Sequence, residues 1–125
     1  NCNKDDRIIF INGIYDQTNL AVVRKNAYLY IHGHSVGGTN PSLLEALSLT
    51  NLNILYDVNF NKDVGQKACL YFKREEDLRR LLNNTEKYDS KKLGKECKKI
   101  INNNFTWKII VDKYQELFKN DRSIK

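Results

Sequence analysis

Apolar positions along this chain fall into two alternating kinds of run. Short continuous runs at Arg7 to Ile11, Tyr28 to Ile31, Leu52 to Tyr56 and Ala68 to Phe72 are rich in Ile, Leu, Tyr and Phe, which predicts strands with both faces covered. Between and after them, apolar residues recur at helical spacing. That spacing predicts helices over Thr18 to Lys25, Pro41 to Leu49, Glu75 to Leu82, Ser90 to Ile101 and Thr106 to Lys119. Strands alternating with helices imply an α/β domain, with a Rossmann-like, mostly parallel sheet of about four strands and flanking helices. The last helix has the clearest stripe: Trp107, Ile110, Val111, Tyr114, Leu117 and Phe118, with Thr106 as cap and Trp107 as a core anchor. No internal repeat or low-complexity linker interrupts the pattern, so residues 1–125 read as one domain.

One stretch carries more than a fold. After the strand at Tyr28 to Ile31 come His32-Gly33-His34-Ser35-Val36-Gly37-Gly38-Thr39-Asn40 and then a helix beginning Pro41-Ser42-Leu43-Leu44-Glu45. Gly37 and Gly38 permit a tight turn, while Asn40 and Pro41 are an N-cap followed by the residue preset for the first helical position. A helix start of this kind turns free N–H groups and a partial positive charge toward an anion. With Pro41 unable to donate, Asn40, Ser42 and Leu43 are the expected amide donors. Glu45, one turn further, is on the residues alone a solvent-facing or dipole-stabilising carboxylate in the first turns of the helix. His32 and His34 are separated by one residue at the carboxyl end of a strand, where open α/β sheets place ligands. Such a pair could ligate a metal, but no third ligand has matching spacing; contact of one histidine with phosphate or sugar is the expectation.

Composition sets outer limits. The 125 residues are 41% hydrophobic and carry a net charge of +6, which suits a small globular domain and favours anionic partners without identifying one. Lysine and asparagine are both abundant, as an AT-rich genome would produce. The lysine run from Lys91 to Lys99 could meet anionic lipid or nucleic acid. Leu93, Cys97, Ile100 and Ile101 between and after the lysines instead describe a helix with one buried stripe and a solvated face. No aromatic-basic interleaving of the kind used on RNA or single strands is present, so no nucleic-acid partner is expected. Cys2, Cys69 and Cys97 are odd in number and have no Cys-x-x-Cys spacing, which argues against a disulfide framework and a zinc site and fits a reducing cytoplasm. No apolar run approaches the ~20 residues of a membrane span.

The residues from Gly33 to Leu47, with the Leu44-Glu45-Ala46 pattern on the helix, resemble the nucleotide-sugar element of two-domain GT-B glycosyltransferases. The likeness is to the family-4-like bacterial enzymes of capsule and exopolysaccharide synthesis, in their rhamnosyltransferase-like branch. Weaker likenesses lie in order around it: the strand leading to Gly13 and Ile14, then Phe60 to Val64, Ala68 to Phe72 and Glu76 to Leu78, and finally Phe105-Thr106-Trp107.

The resemblance implies that the chain is the later portion of a C-terminal donor domain, part of a longer protein and inactive as a transferase alone. The full enzyme would be a retaining, metal-independent glycosyltransferase needing no cofactor. It would move a sugar from a UDP-, dTDP- or GDP-sugar to a glycan or lipid-linked acceptor, in the cytoplasm or peripherally at the inner face of the membrane. The nucleotide-sugar contacts implied are Gly13, Ile14, His34, Gly38, Thr39, Asn40, Ser42, Leu43 and Glu45, with Glu45 on the ribose as the second carboxylate of a Glu-x7-Glu motif. Position 37, where the first carboxylate would fall, is Gly37, which opens a second reading as a non-catalytic nucleotide or anion module. The partner domain of the family would be the N-terminal GT-B domain. Without the strands that flank it in the family, the Arg7 to Ile11 strand is expected either to pair with the Tyr28 to Ile31 edge or to be covered by a second copy of the chain.

Overall fold

A computed structural model of the chain describes residues 5–121. Its centre is a parallel three-stranded sheet in the order β1-β2-β3, formed by β1 (Tyr30–His32), β2 (Asn53–Tyr56) and β3 (Leu70–Phe72). Tyr30 pairs with Asn53 and His32 with Leu55 on one side of β2, and Ile54 with Leu70 and Tyr56 with Phe72 on the other. Helices numbered in chain order surround it: α1 (Gln17–Asn26), α2 (Pro41–Leu49), α3 (Asn59–Gly65), α4 (Glu75–Leu82), α5 (Ser90–Asn104) and α6 (Trp107–Asp121). Short 3-10 turns at Gln66–Ala68 and Thr85–Lys87 complete the order. The chain is therefore α/β with an open parallel sheet and flanking helices.

Local chemistry explains where the helices begin. Asp16, Asn40 and Asp89 cap α1, α2 and α5 by accepting the amides of Asn19, Ser42 and Lys92. Asp77 accepts the Arg74 amide at 3.1 Å and fixes the first turn of α4; that hydrogen bond, with Arg74 and Arg80 nearby, holds its carboxyl below the usual range. Thr106 Oγ1 accepts from Ile109 at the start of α6.

The core lies between the sheet and the α2–α5 pair. Leu43 and Leu47 of α2, Leu55 of β2, Val64, Ala68, Cys69 and Cys97 form one buried cluster, edged by Tyr30, Tyr71, Ile100, Ile101 and Phe105. Ile54 points to the face opposite Leu55 because strand side chains alternate, yet it is equally buried, so β2 is covered on both sides. α2 packs closely on α5, and the contact requires Gly94. A Cβ there would lie 2.9 Å from the Asn51 Cα, closer than any side chain tolerates.

Three expectations are corrected here. Residues 7–11 form no strand: Ile8, Ile9, Phe10 and Ile11 are all exposed, and the sheet has three strands rather than about four. A parallel edge strand is held only by its neighbour's ladder, and these residues pair neither with β1 nor with any other described strand. Trp107 is not a core anchor; it is 83% exposed, and Val111, Tyr114, Leu117 and Phe118 are exposed with it. The α6 stripe is thus largely uncovered among the described residues. Asn59–Gly65, outside every helix that the apolar spacing predicts, is helix α3.

Leu47→Ala should lower the unfolding free energy by roughly 3 kcal/mol, since Leu47 is fully buried and the site cannot collapse onto the sheet. Gly94→Val should cost about 2 kcal/mol by forcing α5 off Asn51. Urea denaturation of the two variants measures both.

Candidate functional site

The carboxyl ends of β1 and β2, the loop 33–40 and the start of α2 meet at one edge of the sheet. The α2 start is shaped by its own cap. Asn40 is extended, and its Oδ1 accepts the Ser42 amide at 2.9 Å while its carbonyl accepts the Leu43 and Leu44 amides at 3.0 and 3.2 Å. The Ser42 and Leu43 amides are therefore engaged within the helix and are not open donors; the residue that starts the helix consumes them. Leu43 itself is core, at 0% exposure. The Ser42 side chain is exposed.

The unengaged donors lie earlier. Among the described residues, no acceptor takes a backbone amide of residues 35–39. Gly37 has φ +108°, a conformation that L side chains rarely adopt, and a Cβ on Gly38 would meet nothing within 4 Å. A carboxylate-bearing side chain at position 37 would thus be strained in this loop. Thr39 and the His34 ring are exposed beside the turn, with His34 Nε2 3.5 Å from where a Gly37 Cβ would stand.

A polar clamp fixes the loop to the sheet. Asn61 of α3 is fully buried and its Nδ2 donates to the His34 carbonyl at 3.1 Å and the Tyr56 carbonyl at 2.9 Å, joining the loop after β1 to the end of β2. A row of rings follows the same edge: Tyr30 to His32 at 5.9 Å, His32 to His34 at 5.8 Å, and His34 edge-on to Phe60 at 6.3 Å. The Tyr30 hydroxyl and His32 Nδ1 share a hydrogen bond of 3.1 Å, while His32 Nε2 is buried with no partner among the described residues. Burial, reinforced by His34, lowers the His32 pKa and favours the neutral ring. No group of three His, Cys, Asp or Glu side chains assembles around this pair among the described residues.

Glu45 is not a free carboxylate. Arg24 of α1 reaches across to α2 and forms an ion pair with it, Arg24 being the more buried partner at 12% side-chain exposure against 43%. Thr50 Oγ1 donates to the Arg24 carbonyl at 2.8 Å and pins the same region of α1. Burial raises the Tyr30 phenol pKa, and the charges of Arg24 and Glu45 act on it in opposite senses. Glu45 retains one oxygen outside the Arg24 contact and enough exposure to receive a ligand hydroxyl.

Gly13 and Ile14 are not brought into this arrangement. They precede α1 in an exposed segment; among the described residues its hydrogen bonds stay between Asp5 and Ile8, and a Cβ on Gly13 would touch only Tyr15. No protein-family model, curated protein or solved structure matches this chain. Two residues that organise the site, Arg24 and Asn61, had no signature in the sequence. Arg24 is 21 positions from Glu45 and Asn61 is 27 from His34, so only the fold makes them neighbours. The assembled edge offers backbone amides, an imidazole and a neutralised carboxylate, a set suited to binding an anion with hydroxyls nearby.

Glu45→Ala should destabilise the fold by about 1–2 kcal/mol because it leaves a largely buried guanidinium unpaired, whereas Glu75→Ala, which breaks the exposed pair with Arg79, should cost under ~0.5 kcal/mol. Thermal melts compare them. The lowered His32 pKa also sets a pH dependence. The unfolded state, at about 6.5, binds the proton more readily, so stability present above that value should fall as pH drops from there toward the folded pKa. His32→Asn should flatten this part of the pH profile of urea midpoints.

Proposed function

We propose that this chain is the nucleoside-diphosphate-sugar-binding portion of a glycosyltransferase that builds a polysaccharide, with the diphosphate on the loop 33–40. One observation carries the reading: consecutive amides at residues 35–39 lack acceptors among the described residues, at the carboxyl edge of a parallel sheet and directly before a helix start. Successive free N–H groups in a glycine turn make a concave anion site, and this edge is where open α/β sheets bind ligands. The His34 ring lies beside the same turn and supplies a further donor. Glu45 lies farther along α2, where the oxygen outside its ion pair with Arg24 accepts from the ribose hydroxyls. The net charge of +6 favours the approach of a diphosphate. In transfer, amides fixed on the diphosphate stabilise the charge that grows on the leaving group as the sugar bond breaks.

A second reading, a nucleotide or anion module without transferase chemistry, is favoured by Gly37. Glycine stands where the motif has its first carboxylate, in a backbone conformation, φ +108°, that would strain a carboxylate-bearing residue.

Titration of UDP, dTDP and GDP against isotope-labelled protein tests the site. Amide shifts should concentrate at residues 35–39, with Ser42 and Leu43 moving little because their amides stay in the helix. Glu45→Gln should weaken the nucleoside diphosphates about tenfold and leave pyrophosphate unchanged. Equal affinity for pyrophosphate and nucleoside diphosphates would favour the second reading, and no response from any of them would remove both.

A further inference from the structure

The three cysteines are far apart in sequence, but the fold brings two of them together. Cys69, at the end of the Gln66–Ala68 turn, and Cys97, midway along α5, are both free thiols buried in the core. Their sulfurs are 3.9 Å apart across a sequence separation of 28 residues. Cys97 Sγ also lies 3.8 Å from Asn53 Nδ2 and 3.5 Å from the Ala68 carbonyl. At 3.9 Å the two sulfurs are already in contact, and bonding would draw them together to the ~2.05 Å of a disulfide.

We infer that Cys69 and Cys97 are an oxidisable dithiol, which a peroxide converts to an intrachain disulfide joining the β3 approach to α5. The environment distinguishes the two sulfurs. Hydrogen bonding from Cys69, then from the Asn53 amide, lowers the Cys97 pKa, while the same bond and burial push the Cys69 thiol well above the usual range. Geometry points the same way: Asn53 Nδ2 donates to Cys97 Sγ at 3.8 Å, a donor that Cys69 lacks among the described residues, so Cys97 is the sulfur better placed to attack as a thiolate. Its thiolate attacks one peroxide oxygen, the O–O bond breaks, and the departing hydroxide takes up the proton that Cys97 had released, giving water and a Cys97 sulfenic acid. The Cys69 sulfur then attacks the Cys97 sulfur. The S–S bond forms, the S–O bond breaks, and the leaving hydroxide carries away the Cys69 proton as a second water. Two thiols are oxidised and one hydrogen peroxide is reduced to two waters.

The position of the pair gives the step a consequence. Gly65, at the end of α3, sits so close that a Cβ there would be 2.9 Å from Cys69 Sγ, and α5 packs against both α2 and the Gln66–Ala68 turn. A bond at this point fastens α5 to the segment leading into β3, closing a loop that the reduced chain holds by packing alone. Since Cys97 is fully buried, peroxide must wait for a local opening, and the reaction is slower than at a surface thiol.

The test uses the whole chain, fully reduced and then treated with hydrogen peroxide. The protein is unfolded, alkylated with iodoacetamide and mapped by mass spectrometry. The expected product is a peptide pair linked through Cys69 and Cys97, about 2 Da below the sum of its thiol forms and separated again by dithiothreitol. The linked chain should melt roughly 5–10 °C higher than the reduced chain. Alkylation of both cysteines after oxidation, a link from either one to Cys2, or sulfonic acids without a link would each overturn the proposal. A linked chain whose melting temperature is unchanged or lower would overturn the fastening of α5. Cys69→Ser and Cys97→Ser variants that still fold should each lose the linked product, and its persistence in either would refute the pairing.

Discussion

Parallel pairing of β2 with strands on both sides is the constraint from which the remaining geometry follows. Asn53, Ile54 and Leu55 are fully buried, and each strand beside β2 has only this ladder to hold it in register. A slip of one residue would exchange Leu55 with Ile54 and turn Asn53 away from Cys97, exposing an unmatched amide to an apolar face. The register therefore decides at once which side receives the α2–α5 pair and which end of the sheet receives the loop 33–40.

At that end the chain spends several of its polar side chains on order. Asn61 holds one carbonyl in the loop after β1 and one at the end of β2, and Thr50 holds the last turns of α1. Asn40 satisfies the amides of Ser42, Leu43 and Leu44, while among the described residues those of the glycine turn before it have no acceptor. Organisation and recognition are thus divided between neighbouring segments: the helix start is self-sufficient and rigid, and the turn before it carries the open hydrogen-bonding capacity. Ion pairs engage two carboxylates nearby, Glu45 with Arg24 and Asp57 with Lys62.

Much of the fold was legible where local signals were strong. α2 and α4 span Pro41–Leu49 and Glu75–Leu82, the same limits that capping residues and apolar spacing indicate in the sequence. The three observed strands fall on or beside their apolar runs for the same reason. Ile8 to Ile11 has the composition of a strand but lacks the neighbour that composition cannot supply. α3 was invisible because Asn59–Gly65 is short and polar, without a helical stripe. Trp107 shows the converse limit, since amphipathic spacing tells which residues share a stripe and not whether anything covers it. At the candidate site, the turn and cap could be read from Gly37, Gly38, Asn40 and Pro41. The engagement of the Ser42 and Leu43 amides depends on the local cap geometry, and the Arg24 pair and the Asn61 clamp on tertiary folding. The meeting of Cys69 with Cys97 was hidden in the same way, because spacing rules describe local motifs and these sulfurs meet through tertiary packing.

The ion pair between Arg24 and Glu45 has a consequence for how this sequence can change over generations. Loss of the carboxylate alone strands a guanidinium in a largely dry position, and loss of the guanidinium alone frees a negative charge beside the loop. Neither single step is neutral, whereas a paired exchange to two uncharged residues of similar size removes both costs. Positions 24 and 45 are therefore expected to drift as a couple. A lineage that keeps both residues keeps α1 and α2 tied through the same charged contact.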